Sequence, residues 1–408
     1  MKINLKNLKI AIISSSAPPF GGGGISSAHY NLYCCFKENG FNVVLFTFGD
    51  NVKTKHLSEN EIRRFGTPKI ILQFINLLFA LFRVKAYQVN GVIASQIGSF
   101  RLSFALRNYN PDVIIVSDHG SPLLAIRKPK KSKVILVSHH NPLRFINEPL
   151  WGHHSVRDAK LASKIECYTL KKVDAVICPS NYMKAFFTNS YKFNGLIEVI
   201  PNIISEKNIE NVTRFALHEK LGLHPDAPII YIPSAGSIYK GNNYVFEIIR
   251  RLSNANNEQK IGFYLSGQID ALLKRELSFL KSDAVVFTPG QVSYFDNISY
   301  IKNCSFCISP TLIESFGMAI LEANFCELPV ITFNVGGNAD IIKDGINGYL
   351  IDLLDIENMI NKAQQLLGNN ELLKQMRDNS MKFVMDNFSS NVVIESYIKY
   401  AANVSLKM

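Results

Sequence analysis

The chain has 408 residues, of which 47% are hydrophobic and 19% are charged. This length exceeds what one hydrophobic core usually organises, so two domains are expected, and the apolar content excludes a disordered or fibrous protein. Residues 1–200 hold 26 Lys and Arg against 11 Asp and Glu, a balance of +15, whereas residues 201–408 balance at −4. This asymmetry predicts that the first half meets an anionic partner.

The cysteines and the apolar stretches of the sequence indicate the cellular compartment in which the protein is expected. Seven cysteines make a poor disulfide framework and indicate a reducing environment. The pair Cys304 and Cys307 lacks the further ligands of a zinc site, so buried thiols are predicted, and neither a metal nor a cofactor is expected. No export signal is recognised, and the apolar stretch Ile70–Phe82 is too short to span a bilayer. We expect a cytoplasmic protein that is soluble or lies on the inner face of the plasma membrane.

The first half begins with a strand, a loop, a helix and a second strand. The patterns predict a strand at Lys9–Ser14, a helix at Ile25–Asn39 ended by Gly40, and a strand at Phe41–Thr47. Further strands are predicted at 112–117, 134–138 and 174–178. Short apolar strands that alternate with helices are typical of a parallel sheet covered on both faces.

The second half repeats this alternation after a hinge predicted at Val199–Ser205. Strands are predicted at 229–233, 260–266, 284–288, 305–309, 329–333 and 348–351. Helices are predicted at 243–253, 318–326, 339–343, 356–367 and 371–387. We therefore expect two doubly wound domains, 1–200 and 201–385, with residues 386–408 forming a helix that crosses back to the first. Such domains bind ligands at the carboxyl ends of their strands.

One segment, Ser309 to Ala323, carries the most chemistry. A buried strand ends in an acidic loop, and a helix then begins near Phe316–Met318. The free amides at this helix start, with Gly317 allowing close approach, predict a diphosphate site. Glu314 would accept hydrogen bonds from sugar hydroxyls, and Glu322 would accept both hydroxyls of a ribose. The alternative, two solvated glutamates, is disfavoured because Glu322 interrupts an apolar helix.

This segment resembles the family-4 retaining glycosyltransferases of the GT-B fold, whose donor domain carries two glutamates separated by seven residues. Glu314 and Glu322 match that spacing, and the resemblance extends from Lys9 to about Tyr397. It implies two Rossmann-like domains facing across a cleft, with the acceptor on the first and the nucleotide-sugar donor on the second. The implied reaction moves a sugar from a UDP-sugar to an acceptor hydroxyl with retention, in bacterial polysaccharide or glycolipid synthesis.

The resemblance also implies residue roles. The first glutamate contacts the donor sugar and the second contacts the ribose. The implied donor-binding set further includes Gly290, Val292, Phe316, Gly317 and Met318.

A second motif, Ser234 to Gly241, follows a predicted strand. Lys240 in a glycine-containing turn suits a departing diphosphate, because negative charge grows on the leaving group. Gly236 is counted with the donor-binding residues. The family usually has an arginine where this chain has Ala235, so either Lys240 acts alone or another cation substitutes. The alternative is a solvated surface lysine.

The glycine-rich loop Gly21–Gly24 lacks the third glycine of a dinucleotide fingerprint, so a nicotinamide site is rejected. The resemblance implies that this loop lies across the cleft near the phosphates and the acceptor, with Gly22 and Gly23 among the donor-binding residues, and a flexible turn is the alternative. His139 and His140 both follow a predicted strand. The family has one histidine there that contacts the donor sugar, and the sequence leaves open which of the two it is.

The apolar stretch at 70–82 is flanked by cations at Arg64, Lys69, Arg83 and Lys85. Docking on an anionic membrane and burial as a core helix are equally supported. Nucleic acid is not expected, because no recognisable nucleic-acid module is present. Two other functions stay open: a sugar-nucleotide epimerase or hydrolase on the same fold, with the carboxylates as acid and nucleophile, and a non-catalytic nucleotide-sugar-binding protein.

Overall fold

The computed structural model describes residues 8–18, 23–50, 62–81, 86–146, 155–255, 260–280 and 284–406. The chain divides into two compact units, each an α/β unit with a parallel sheet. The first unit comprises Met1–Ile204 together with Ser390–Met408, and the second comprises Ser205–Ser389. The first boundary therefore falls inside the segment 199–205, where a Pro-Asn pair interrupts an apolar run.

The first unit is built on a seven-stranded parallel sheet. Its strands are β1 Lys9–Ser14, β2 Asn42–Thr47, β3 Ile62–Arg64, β4 Val113–Ser117, β5 Lys133–Val137, β6 Ala175–Cys178 and β7 Leu196–Val199. Their spatial order is β3-β2-β1-β4-β5-β6-β7, so the winding direction reverses between β1 and β4. The central strands are apolar and buried along nearly their whole length, as a sheet covered on both faces requires.

Helices from this half of the chain cover the sheet. They are α1 Gly24–Glu38, α2 Lys69–Leu81, α3 Tyr87–Tyr109, α4 Val156–Thr169 and α5 Asn181–Ser190. Gly40, with φ of 77°, follows α1 and donates to the carbonyl of Lys37, which confirms the predicted helix end. None of the helices in the described ranges combines the length and apolar composition that a membrane span requires.

The second unit has a six-stranded parallel sheet of order β10-β9-β8-β11-β12-β13. Its strands are β8 Ile229–Ile232, β9 Ile261–Leu265, β10 Ala284–Phe287, β11 Phe306–Ser309, β12 Val330–Phe333 and β13 Gly348–Ile351. Its helices are α6 Glu206–Glu210, α7 Leu217–Leu221, α8 Asn242–Ala255, α9 Ala271–Leu277, α10 Tyr294–Ile301, α11 Met318–Phe325, α12 Asn338–Ile341, α13 Ile356–Leu367 and α14 Asn370–Phe388. Here the winding reverses between β8 and β11. Ligands of doubly wound sheets bind at such reversal points.

The last helix, α15 Ser390–Leu406, belongs to the first unit. Val393 and Tyr397 are buried in that unit's core with Leu32 of α1. The hydroxyl of Tyr400 lies 2.8 Å from the carbonyl oxygen of Val176 and 2.8 Å from that of Leu196. Each buried side chain of this size contributes about 1.5–3 kcal/mol, so the helix is an integral part of the first unit.

All seven cysteines are free thiols. Cys304 and Cys307 are buried, which confirms the prediction of buried thiols, and burial raises the pKa of Cys304 well above its usual value. Within the described ranges no group of three or more His, Cys, Asp or Glu side chains is arranged to hold a metal ion.

Candidate functional site

The winding reversal of the second unit brings together two predicted site residues. Lys240 ends a short 3₁₀ turn, Ile238–Lys240, after β8, and Glu314 lies in the loop after β11. The ammonium group of Lys240 donates directly to a carboxylate oxygen of Glu314. The two side chains are only 29% and 19% exposed, so the pair is partly shielded from water. The two residues are 74 positions apart in sequence. They meet because the strands that precede them, β8 and β11, are adjacent and parallel and therefore end at the same edge of the sheet.

Neighbouring loops hold the Glu314 loop in place. The N–H of Leu312 donates to the carbonyl of Tyr239 over 3.0 Å, which ties the loops after β11 and β8 together. Gly336, after β12, has φ of 55°, and a Cβ atom there would lie 1.7 Å from the carbonyl oxygen of Glu314. A side chain is therefore excluded at position 336 both by backbone conformation and by space.

Helix α11 begins directly after this loop. Gly317, with φ of 116°, is its N-cap, and no side chain caps the helix. Phe316 is buried and packs against Phe388 of α14, with ring centroids 6.1 Å apart. The first amides of α11 therefore remain uncapped by side chains, and the positive end of the helix dipole suits an anion.

Glu322 lies on the same face of α11 as Met318, one turn further along. Both side chains are partly exposed. Burial by surrounding apolar groups raises the pKa of Glu322 to about 7. Among the described residues no hydrogen-bond donor is bound to its carboxylate. A carboxylate with unused acceptor positions fits two vicinal hydroxyl donors.

The loop after β8 is packed too tightly for a long side chain at position 235. Ala235 is fully buried, and its N–H donates to the carbonyl of Ser266 over 3.1 Å. A Cβ atom at Gly236 would lie 1.6 Å from the carbonyl oxygen of Gln268. The close contact between the loops after β8 and β9 therefore leaves no space for an arginine side chain at position 235.

Gly290 and Val292 follow β10 at the outer edge of the same sheet. Two strand spacings, about 10 Å, separate β10 from β8. Gly290 has φ of 79°, and Val292 is half-buried. Gly290 and Val292 therefore lie at the same carboxyl edge of the sheet as Lys240 and Glu314, but they are not part of the Lys240–Glu314 ion pair.

The two candidate histidines of the first unit differ in accessibility. His139 is buried, and its Nε2 lies 2.8 Å from Oδ1 of Asn202. Because a carboxamide oxygen can only accept, Nε2 carries the proton. Burial lowers the pKa of His139 to about 4, so the ring is neutral at pH 7. The ring centroid lies 5.4 Å from that of His29.

His140 is partly exposed, and its ring lies 5.2 Å from that of His119. Its backbone N–H donates to Oδ2 of Asp118 over 2.8 Å, and the N–H of Asn141 donates to the same oxygen over 3.3 Å. The buried carboxyl of Asp118 thus shapes the turn that presents His140. No role was predicted for Asp118 or Asn202 from the sequence. For Asp118 the available signal was its position directly after the buried strand β4, whereas Asn202 follows β7 only after two further residues and carried no such signal.

The glycine-rich loop is described only in part: Gly22 lies outside the described residues, and Gly23 is the N-cap of α1 with φ of 105°. Arg64, 2% exposed, forms a buried ion pair with Asp50. Its guanidinium also donates to the carbonyl of Ala17 over 2.8 Å, which fixes the chain ahead of the glycines. Arg64 therefore drops out of the cations that could support membrane docking of the 70–82 stretch, since a buried, paired cation cannot reach lipid.

Comparisons with known proteins match both halves of the chain to sugar-transferring families. Residues 22–207 match the family described as "Glycosyltransferase Family 4", and residues 213–383 match "Glycosyl transferases group 1". An uncharacterized glycosyltransferase of Methanocaldococcus jannaschii is 27% identical over 53% of this chain and 56% of its own length. The chain thus matches about half the length of that relative.

Two further comparisons concern a named activity and the fold. The Escherichia coli UDP-Gal:alpha-D-GlcNAc-diphosphoundecaprenol alpha-1,3-galactosyltransferase is 27% identical over 57% of this chain and 61% of its own length. The solved structure of sucrose-phosphate synthase from Thermosynechococcus elongatus superposes with a TM-score of 0.72 at 18% identity, covering 97% of this chain and 99% of that one. This superposition confirms the predicted fold: two Rossmann-like units of the GT-B class.

Proposed function

We propose that this chain, whose two halves match glycosyltransferase family models, transfers a sugar from a UDP-sugar to an acceptor hydroxyl with retention of anomeric configuration. The observation that carries the proposal is the Lys240–Glu314 pair beside the uncapped start of α11, with Glu322 one turn further on. A cation, free amides and a carboxylate with unused acceptors match the diphosphate and ribose of a nucleotide.

Donor binding would divide the Lys240–Glu314 pair. The diphosphate carries more charge than a single carboxylate, so it would attract the ammonium of Lys240 away from Glu314. Glu314 would then accept hydrogen bonds from the hydroxyls of the donor sugar. The amides of α11 would hold the phosphate oxygens, and Glu322 would hold the ribose. UDP is chosen because the E. coli relative is named for a UDP-sugar.

In the reaction the bond between the anomeric carbon and the phosphate oxygen breaks, and a bond from the acceptor oxygen to that carbon forms on the same face. The acceptor proton passes to the departing phosphate oxygen. Lys240 and the amides of α11 stabilise the charge that develops there, an effect of order 10²–10³ in rate per group. Of the two candidate histidines, we assign the sugar contact to His140, because His139 is buried against Asn202.

The acceptor is proposed to be a membrane-linked glycan in bacterial glycan biosynthesis. Support comes from the E. coli relative, whose printed acceptor is a diphosphoundecaprenol-linked sugar. It also comes from α2, where Ile70, Phe74 and Leu77 are 79%, 59% and 55% exposed on one face of the helix. Apolar side chains in such a row, within the basic half of the chain, suit an anionic membrane surface.

A panel of nucleotide sugars tests the donor assignment. A bound nucleotide should raise the melting temperature, since a ligand at 100 times its dissociation constant adds about 2.7 kcal/mol. We expect UDP and one or more UDP-sugars to stabilise the protein and GDP-sugars to do so less. UDP release that depends on added acceptor would then establish transfer. Equal stabilisation by all bases would contradict the UDP assignment, and nucleotide binding without turnover on any acceptor would contradict transfer.

A further inference from the structure

A cavity lies in the first unit, at the winding reversal of its sheet. It has a volume of about 190 Å³ and is bordered by residues that follow three adjacent strands: Ser15 after β1, Gly49 after β2 and His119 after β4. Helices α2 and α3 supply the remaining wall, with Leu72 from α2 and Ala94 from α3. All described residues that border the cavity belong to the first unit.

The cavity wall is more apolar than its residue types suggest. The hydroxyl of Thr67 donates to the carbonyl of Ala94 over 2.6 Å, and the hydroxyl of Ser95 donates to the carbonyl of Gly120 over 2.5 Å. Both hydroxyls are therefore engaged with the backbone, and Phe48 and Leu72 add apolar surface. An apolar cavity of about 150 Å³ holds a benzene-sized molecule, so this one accommodates a hydrocarbon segment of at least six carbons.

Small residues on α3 create this space. Gly98 approaches β2 so closely that a Cβ atom would lie 1.9 Å from the carbonyl oxygen of Phe48. Gly91 and Ala94, one to two turns earlier, line the cavity, and a Cβ atom at Gly91 would meet nothing within 4 Å. The helix thus packs tightly against the sheet at its middle and leaves room in its first two turns.

Helix α2 connects this cavity with the exposed apolar face. At 100° per residue, Leu72 lies on the opposite side of the helix from Ile70, Phe74 and Leu77. One side of α2 therefore faces the cavity and the other faces solvent. Between Ile62 and Pro111 the sequence has seven Lys and Arg and no Asp or Glu. An amphiphile with an anionic head group and a hydrocarbon chain matches this combination.

We propose that the cavity bordered by Leu72, Gly91 and Ala94 binds the hydrocarbon chain of a lipid-linked acceptor. His119 at its border touches the ring of His140, so a chain seated in the cavity directs its head group toward the histidine assigned to the sugar contact. The inference rests on the proposed glycosyl transfer and specifies the acceptor's chemical class: a phosphate-bearing acyl or isoprenoid chain drawn from a membrane.

Decyl phosphate, below its micellar concentration, is the probe, and titration calorimetry on the full chain is the measurement. We expect decyl phosphate to bind at least tenfold more tightly than inorganic phosphate. Gly91→Leu should lower that affinity at least tenfold, since Gly91 lines the cavity and a Cβ atom there meets nothing within 4 Å. The matched control, Asn108→Leu, adds the same side chain at an exposed position of α3 away from the cavity and should bind as wild type does.

Two results would overturn the proposal. Wild-type affinity of Gly91→Leu for decyl phosphate would place the chain elsewhere on the protein. Phenyl phosphate binding as tightly as decyl phosphate would indicate a soluble aromatic acceptor. UDP affinity, measured on the same samples, separates this inference from the donor assignment: it should be unchanged in Gly91→Leu. A wild-type protein that binds decyl phosphate but no nucleotide would support the cavity and count against glycosyl transfer.

Discussion

At the scale of single residues, the environment of Glu322 links stability to ligand binding. Its pKa, raised by burial to about 7, means that the folded protein holds this proton more tightly than the unfolded chain does. The penalty for ionisation is therefore absent below pH 4.5 and grows as the pH rises toward 7 and beyond. A ligand that donates hydrogen bonds from two hydroxyl groups to the carboxylate would offset this penalty. Such a ligand would explain why an acidic residue occupies this position.

Glu322→Gln should consequently stabilise the free protein and weaken nucleotide binding. We expect a higher melting temperature than wild type at pH 8 and little difference at pH 4.5. UDP affinity at pH 8 should fall about 10- to 100-fold, because hydrogen bonds to charged groups contribute about 1.5–3 kcal/mol. Calorimetry across pH 6 to 8 should show affinity rising with pH in wild type only. Glu371→Gln, at an exposed position, is the control, and identical pH profiles for wild type and Glu322→Gln would refute the ribose contact.

Lys240 is expected to act on the phosphates and not on the nucleoside. Lys240→Ala should lower sugar transfer about 10²- to 10³-fold, the usual loss when one charge-stabilising donor is removed. Uridine binding should be nearly unchanged, since uridine carries no phosphate. Steady-state rates and calorimetry measure the two effects separately. Lys274→Ala removes an exposed cation of the same unit and should leave both intact; wild-type turnover in Lys240→Ala would place the phosphate contact elsewhere.

At the scale of elements, the loops at the carboxyl edge of the second sheet support one another. Gly336 and Gly345 both have positive φ, 55° and 75° respectively, so alanine strains the backbone at either position. They differ in space: a Cβ atom at 336 collides with the carbonyl of Glu314, whereas one at 345 meets nothing within 4 Å. Comparing alanine variants at the two glycines therefore separates the effect of backbone strain from the effect of displacing the Glu314 loop.

Gly345→Ala should cost about 1–2 kcal/mol of stability from backbone strain and keep wild-type UDP-sugar turnover. Gly336→Ala should cost more and also lose most of its turnover, because the Glu314 loop must move. Thermal unfolding and initial rates at saturating donor, each on both variants, check this expectation. Equal turnover in the two variants would mean that the position of Glu314 does not govern the reaction.

At the scale of the whole molecule, the charge balance of +15 in residues 1–200 and the exposed face of α2 predict membrane association. The protein should co-sediment with anionic vesicles at low salt and less so as salt rises, because the Debye length shortens to about 8 Å at physiological ionic strength. Neutral vesicles should bind weakly. No preference for anionic vesicles at low salt would leave α2 as an exposed apolar helix without an assigned partner.

A double substitution localises this binding. Ile70→Ser with Phe74→Ser should reduce vesicle binding strongly, since both side chains project from the same face of α2. Phe279→Ser removes a side chain that is 72% exposed in the second unit and serves as the control. Equal loss in the control would indicate general hydrophobic adsorption and not a docking face.

The sequence by itself determined the alternation of strands and helices and the locations of the two chemical motifs. Buried strands and amphipathic helices each have a characteristic pattern of apolar residues along the sequence. The predicted and observed bounds of β1 and α13 therefore coincide. The three residues of β3, and β7, which is only partly buried, went unrecognised because short or half-exposed strands lack that signal. The spacing of Glu314 and Glu322 could likewise be recognised from the sequence, since both residues lie within one loop-helix segment.

Tertiary structure alone decided which distant side chains meet. The strand order places Lys240 against Glu314, and it buries Arg64 against Asp50, so that Arg64 cannot contact lipid. It also made His139 an interior group bound to Asn202 and left His140 accessible. The physical reason is common to all three. Local sequence fixes the backbone pattern, but the partner and solvent exposure of a polar side chain depend on which strands become neighbours.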